Sequence, residues 1–230
     1  MFAPLSGWIN RNQPIPARFY TPGIIDTPNS EWGVWISIEE STLLHDVQNM
    51  NWTSLKESRS TTQEYLSEAS DLIHGLDGGW LDREEQSMIL EELGLPPDPS
   101  LPLYIITCKD EDEDEEEESV VYIGKTKNNS RFGGGHQAAL KLHHPKYANK
   151  EKRIYRATIW FHFNDEYVNI DWIQPESLSL DLLDSLESHL IYNLQPELNI
   201  HKKKKNLCRW DFYVHIQNSL ENNILDDVFI

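Results

Sequence analysis

The stretch Val120-Val121-Tyr122-Ile123-Gly124-Lys125 decides how we interpret the chain. Its apolar residues are typical of a short strand, and the glycine predicts a turn at the strand's end. An upstream segment, 101–107, is also short and apolar and contains one tyrosine, Tyr104. The two segments predict a β-hairpin with strands at 101–107 and 119–124.

The loop of this hairpin contains nine consecutive acidic residues, Asp110 to Glu118. Like charges repel, so we expect the loop to be solvated. The whole chain has a net charge of −18, of which −11 falls in residues 1–100 (5 Lys and Arg against 16 Asp and Glu). Such a surface argues against indiscriminate binding of nucleic acid or membranes, and the acidic N-terminal region would suit a basic protein partner.

A proline-rich break, Pro96-Pro97-Asp98-Pro99, predicts a domain boundary and leaves 1–97 as an N-terminal region. Alternating apolar residues predict one strand at 32–38. Capping-box patterns predict helices at 61–76 and 82–94. The N-terminal region is therefore predicted to be mixed and mostly helical, with a role that the sequence does not reveal.

Residues 98–206 are predicted to form a second domain that begins with the hairpin. A third strand is expected at 153–163 and a helix at 178–194. Residues 207–230 are predicted to be a C-terminal extension that packs on this domain, with a short closing helix over 217–230.

The predicted helix at 178–194 carries a carboxylate, Glu187, in its core-facing stripe. Five apolar side chains lie within about 60° of it on a helical wheel, namely Leu180, Leu183, Leu190, Ile191 and Leu194. An ionised carboxylate is very costly to bury without a partner. Glu187 therefore needs a cation, either a lysine or arginine in a buried ion pair or a metal ion. Periodicity alone favours the ion pair.

Five motif pieces occur in one order along the chain: Tyr104, Tyr122-Ile123-Gly124-Lys125, Arg131, Glu187 and Asn199. In this order they resemble the GIY-YIG nuclease family. The family's Tyr-Ile-Gly motif is intact, whereas its Gly-Ile-Tyr motif keeps only the tyrosine in Pro102-Leu103-Tyr104. The step of twelve residues from Glu187 to Asn199 is similar to that of the excision-repair branch.

The resemblance covers about residues 101–200. It implies an α+β fold, with a small domain whose central three-stranded antiparallel sheet is flanked by helices. It also implies a metal-dependent endonuclease that hydrolyses phosphodiester bonds of DNA, in restriction or defence, in repair or in a mobile element. One such site cuts one strand, so double-strand cleavage would require a homodimer or a second encounter.

The resemblance also implies roles for single residues. Glu187 would hold one Mg²⁺ or Mn²⁺, since both ions prefer carboxylate oxygen. Arg131 would brace the scissile phosphate with its planar guanidinium. Asn199 would orient Glu187 or a phosphate by hydrogen bonding. His136, five residues after Arg131, is a further catalytic candidate.

Either Tyr104 or Tyr122 would act as the general base on water. A phenol titrates near pH 10, so it needs a nearby cation, and Lys125 is the candidate. Lys125 and Arg131 would also contact the DNA. The basic run 202–205 adds Lys202, Lys203 and Lys204 as candidates for contacts to the DNA backbone.

A different class of function fits the same sequence. The chain would keep the nuclease fold without catalysis and act as an acidic binding protein or a DNA mimic. Its two cysteines, Cys108 and Cys208, have no metal-binding spacing. The sequence has no signal-peptide pattern and no apolar run long enough to span a bilayer, which predicts a cytoplasmic protein without a membrane partner.

Overall fold

A computed structural model describes residues 5–15, 31–50, 52–73, 79–110, 118–126, 140–163, 166–220, 222 and 224–230. Two predicted site residues, Arg131 and His136, lie outside the described residues. Most of the acidic loop, 111–117, lies outside them as well.

Seven strands are described: β1 (Glu31–Leu43), β2 (Leu103–Asp110), β3 (Ser119–Lys125), β4 (Lys150–Phe163), β5 (Glu166–Asn169), β6 (Asp211–Asn218) and β7 (Val228–Phe229). Four α-helices lie wholly within the described residues: α1 (Ser6–Ile9), α2 (Leu55–Leu72), α3 (Arg83–Glu92) and α4 (Glu176–Leu194). Short 3-10 helices lie at Leu44–Asn49, Pro145–Tyr147 and Ile170–Trp172.

All seven strands form one mixed sheet, in the order β3-β2-β4-β1-β6-β7, with β5 also paired to β4. Strand β2 runs antiparallel to both of its neighbours, β3 and β4, whereas β1 runs antiparallel to β4 and parallel to β6. We expected a small domain with a three-stranded antiparallel sheet, preceded by a mainly helical region. This prediction of the fold is therefore wrong.

The physical reason for the larger sheet is the second edge of β4. This strand has 14 residues, and β2 pairs with 150–157 along one edge. The other edge pairs with β1, from Gly33 opposite His162 to Leu43 opposite Arg153. Pairing with β1 satisfies backbone groups that an isolated three-stranded sheet would leave exposed.

Two local predictions also need correction. Helix α2 begins at Leu55 rather than near residue 61, because Ser54 and Glu57 form the capping box. The hydroxyl of Thr61 instead donates to the carbonyl of Glu57 inside the helix, at 3.1 Å. The described residues of 217–230 form no helix and contribute β7. The capping box of α3, formed by Asp82 and Glu85, is confirmed.

The sheet separates two clusters of buried side chains. The main core contains one apolar face of β4, namely Tyr155, Ala157, Ile159 and Phe161, together with buried residues of all four helices. A smaller cluster includes Trp52, Tyr104, Tyr147 and Ile154. Because adjacent strand residues point to opposite faces, Ile154 and Tyr155 place these clusters on opposite sides of the sheet.

Arg59 of α2 attaches this helix to the later part of the chain. Its guanidinium is buried and donates to the carbonyl oxygens of Asp171 and Ile173, both at 2.7 Å, and to the Ser179 hydroxyl at 2.5 Å. Burial lowers the pKa of Arg59, and the negative charge of Asp171 opposes this change.

The carboxylate of Asp171 completes this anchor. It accepts hydrogen bonds from the Ser58 hydroxyl at 2.8 Å and from the backbone N–H of Ser100 at 2.9 Å, and also from the Ser100 hydroxyl. Burial raises its pKa, and these hydrogen bonds oppose that change. The anchor joins residues on both sides of the proposed boundary at residue 97, and the division into domains stays a prediction.

We predict that Arg59→Met destabilises the protein by about 3 to 5 kcal/mol, because it leaves buried carbonyl oxygens without their donor. The measurement is the free energy of unfolding in urea. Lys56→Met is the matched control, since Lys56 is exposed on the same helix. Equal free energies of unfolding for the two variants would contradict the role of Arg59 as an anchor.

Candidate functional site

Glu187 lies on the face of α4 that packs against β3. It is only 8% exposed, and its neighbours Leu183, Leu186 and Leu190 are fully buried. Helix α4 ends at Gln195, whose left-handed backbone (φ 50°) precedes Pro196. The sequence thus placed this carboxylate correctly in the buried stripe of the helix.

Two lysines surround the Glu187 carboxylate. The Nζ of Lys202 lies 2.6 Å from Glu187 Oε2 and 3.2 Å from Asp184 Oδ1. Lys125, the last residue of β3, pairs with Asp184, and its Nζ lies 3.9 Å from Glu187 Oε2. We call these four residues, Lys125, Asp184, Glu187 and Lys202, the ion cluster.

The contacts of the ion cluster shift the pKa values of three members. Burial lowers the pKa of Lys125, although its hydrogen bond with Asp184 opposes this change. Burial also acts to lower the pKa of Lys202, but its contacts with Glu187 and Asp184 together outweigh burial, and the pKa is raised. Burial acts to raise the pKa of Asp184, and its pairs with Lys125 and Lys202 hold it below the usual value. Asp184 and Lys202 therefore stay ionised near neutral pH.

Asn199 holds the edge strand that leads to Lys125. Its side-chain oxygen accepts from the Ile123 N–H and its side-chain nitrogen donates to the Ile123 carbonyl, both at 2.9 Å. The N–H of Leu198 donates to the Val121 carbonyl at 2.8 Å. The amide that the resemblance assigns to Glu187 or a phosphate is thus bonded to the β3 backbone.

The two predicted tyrosines lie beside each other. Tyr104 is fully buried and Tyr122 is half-buried, and their rings stack with centroids 6.0 Å apart. Tyr122 and Gly124 share one face of β3, so Ile123 and Lys125 point to the other face, towards α4. The structure therefore brings Lys125 and Glu187 together and places the tyrosines across the sheet from them.

The glycine of Tyr122-Ile123-Gly124 is required by packing. Tyr104 pairs directly with Gly124 across β2 and β3. A Cβ atom at position 124 would overlap the hydroxyl and ring of Tyr104 and approach the Tyr122 ring at 2.8 Å. Since the Tyr104 ring is fully buried, it has no space to move away.

Two sets of residues near these motifs were not predicted from the sequence. Asp184 lies one turn before Glu187, and this three-residue spacing was a signal that it shares the face of Glu187. Arg156, the β4 partner of Tyr104, bonds the Glu40 carboxylate through Nε at 3.0 Å and lies 4.6 Å from the Trp52 ring centroid. No local pattern pairs Arg156 with Glu40, because these residues meet only through the sheet.

The remaining predicted lysines differ in their surroundings. Lys203 is half-buried and donates to the Pro196 carbonyl at 2.9 Å. Lys204 is exposed.

Two oxygens of the ion cluster are of the type that a divalent cation prefers, and both carboxylates are paired with lysines. Asp184 Oδ1 and Glu187 Oε2 converge on the ammonium of Lys202, which marks a position of positive charge between two oxygens of the type that Mg²⁺ and Mn²⁺ prefer. Among the described residues, no three His, Cys, Asp or Glu side chains converge as a metal site. An ion held here would therefore keep most of its water ligands.

Comparisons of the chain with models of protein families, with curated proteins and with solved structures gave no match. The resemblance to the GIY-YIG family therefore stays a hypothesis that depends on the motif residues. In the part of the chain that the structure describes, no helix has the length and apolar composition needed to cross a membrane.

We predict that Gly124→Ala destabilises the protein by about 1 to 3 kcal/mol, because its Cβ overlaps the Tyr104 side chain. Chemical denaturation measures the loss. The same substitution should cost less in a Tyr104→Leu background, where the overlapping ring is absent. Equal costs in both backgrounds would contradict this explanation of the motif.

We predict that Asp184→Asn lowers stability near neutral pH and has little effect in acid. The pairs with Lys125 and Lys202 lower the folded-state pKa of Asp184. Their contribution is therefore present above the unfolded value of about 4 and is lost as the pH falls through the lower folded-state pKa. Urea denaturation of the wild type and of Asp184→Asn measures the difference between their free energies of unfolding. This difference should be clear near pH 7 and small near pH 2.

Asp181→Asn is the matched control, since the Asp181 side chain is 56% exposed and that of Asp184 57%. Asp181 lies on the same helix and pairs with Arg209 at 3.0 Å, away from the ion cluster. A pH-dependent loss of stability of the same size in both variants would show that the ion cluster stabilises the protein no more than an ordinary surface ion pair.

Proposed function

We propose that this protein is a metal-dependent endonuclease that hydrolyses phosphodiester bonds of DNA at the ion cluster. The observation that carries the proposal is the convergence of two carboxylates and two lysines at the end of the Tyr122-Ile123-Gly124 strand. A buried carboxylate beside lysines at a strand end is the kind of electrostatic setting that active sites use.

The arrangement of elements around the cluster supports the proposal. Strands β3, β2 and β4 are antiparallel neighbours, and α4 packs against β3. The hairpin, β4 and α4 were predicted from the sequence and lie together here, within a larger sheet than the resemblance implies. The added strands β1 and β6 lie beyond β4, away from β3.

In this mechanism Glu187, with Asp184 beside it, would hold Mg²⁺ or Mn²⁺. The chemistry that such an ion would supply is charge stabilisation at the phosphate and activation of water. Lys125 contributes a fixed positive charge next to the phosphate, and Asp184 holds its ammonium in position. Arg131 braces the scissile phosphate.

Both candidate bases, Tyr104 and Tyr122, lie across the sheet from Lys125 and Glu187, so in this arrangement neither faces water at the ion cluster. Tyr122 is half-buried, whereas Tyr104 is fully buried and so has no direct access to water. Tyr104 instead orients Tyr122 by ring stacking. Asn199 fixes β3 and therefore the backbone from which Tyr122 and Lys125 extend.

The proposed substrate and partners follow from charge. Lys202, Lys203 and Lys204 provide local contacts to the DNA backbone in an otherwise acidic protein. We further propose a cytoplasmic location, a homodimer when both strands are cut, and a basic protein partner for the acidic N-terminal region.

Supercoiled plasmid incubated with Mg²⁺ or Mn²⁺ tests the function. We predict that the wild-type protein nicks it and that Glu187→Gln lowers the rate at least about a hundredfold, because the amide no longer supplies a charged ligand. Asp181→Asn, on the exposed side of the same helix, should keep wild-type activity. Full activity of Glu187→Gln would show that Glu187 is not part of the active site.

One observation favours a second function, that of a non-catalytic acidic binding protein. Glu187 already has a cation partner within the chain, Lys202 at 2.6 Å, and the net charge is −18. Under this alternative the wild-type protein leaves plasmid intact with both metals and binds a basic polypeptide such as polylysine. The plasmid assay therefore separates the two functions.

A further inference from the structure

We propose that Lys202 is a built-in competitor of the divalent ion, so that metal binding is an exchange in which the Lys202 ammonium leaves the carboxylates. This inference rests on the proposed function, because it concerns the same carboxylates. It adds a regulatory residue that neither the motif spacing nor the resemblance includes.

The geometry places the ammonium where the ion would bind. Lys202 Nζ contacts Glu187 Oε2 at 2.6 Å and Asp184 Oδ1 at 3.2 Å, so it bridges the two carboxylates. Mg²⁺ binds carboxylate oxygen at about 2.1 Å. An ion on the same side of these oxygens would overlap the ammonium, and the two cations cannot bind there together.

Charge leads to the same conclusion. The ion cluster holds two carboxylates and two ammonium groups, so its formal charge is zero. A divalent ion added to the intact cluster would face two nearby positive charges in a largely buried site, which Coulomb repulsion opposes. Departure of Lys202 removes one of these charges, while Lys125 stays paired with Asp184.

Lys202 makes these contacts from an unfavourable backbone conformation. Its φ is 71°, in the left-handed region that a lysine rarely adopts. Its side chain is 18% exposed, so it lies against the cluster rather than in solvent. The pairs with Glu187 and Asp184 offset the cost of this conformation, and their loss lets the segment relax.

Binding of Mn²⁺ to the full-length protein without DNA tests the exchange, and electron paramagnetic resonance of the free ion measures it. We predict that Lys202→Ala binds Mn²⁺ on the order of tenfold more tightly than the wild type, since no ammonium has to be displaced. Lys202→Gln should behave in the same way and serves as a second variant if Lys202→Ala folds poorly by circular dichroism.

Two further variants identify the cause of any change. Lys205→Ala removes the same charge from the same basic run but from an exposed side chain, and should leave Mn²⁺ affinity near that of the wild type. Glu187→Gln should lose binding. Tightening by Lys205→Ala equal to that by Lys202→Ala would attribute the effect to net charge and overturn the exchange.

The remaining outcomes separate this inference from the proposed function. If Glu187→Gln abolishes Mn²⁺ binding while both Lys202 variants keep wild-type affinity, the exchange is overturned, but the result still supports a metal site at Glu187. If neither the wild type nor either Lys202 variant binds Mn²⁺, the metal site fails and the exchange fails with it.

Discussion

Backbone pairing of β1 on both of its edges is the interaction on which the rest of the structure depends. This strand pairs with β4 on one side and β6 on the other. It thereby joins the antiparallel strands β3, β2 and β4 to the C-terminal strands β6 and β7. Its inward residues Ile36 and Ile38 are fully buried, so the pairing also positions the main core. The edge strand β3 lies at the end of the sheet opposite to β7, and Leu198 and Asn199 cover its outer edge.

Local periodicity predicted much of the candidate site. The hairpin, strand β4, helix α4 and the buried position of Glu187 all follow from spacings of two or of three and four residues. The extent of the sheet could not be predicted in this way. Residues 32–38 were expected to form a strand, but nothing within that segment indicates β4 and β6 as neighbours. Asp184 resembles a surface residue because its side chain is 57% exposed, and only Lys125 and Lys202 give it a role.

The motif residues carry two kinds of information that the structure separates. Gly124 is explained by the Tyr104 ring that crosses it, and Asn199 by its two hydrogen bonds to Ile123. These features account for packing of the edge strand whether or not the protein is an enzyme. Lys125 and Glu187 have no comparable packing explanation, since both are charged groups in a buried place. The case for catalysis therefore depends on the charged residues more than on the Tyr-Ile-Gly motif.

A buried carboxylate that binds metal must also be stable when no metal is bound. An uncompensated charge in the position of Glu187 would cost several kcal/mol, roughly as much as a small protein can lose. Lys202 removes that cost by supplying an ammonium from a neighbouring loop, at the expense of a left-handed backbone at that residue. A lysine suits this task better than an arginine, because its single charged atom on a flexible stem can leave without breaking a bidentate pair. Under the proposed exchange, the contact that stabilises Glu187 within the chain is the same contact that a divalent ion would have to displace, so stability and metal affinity would oppose each other at this site.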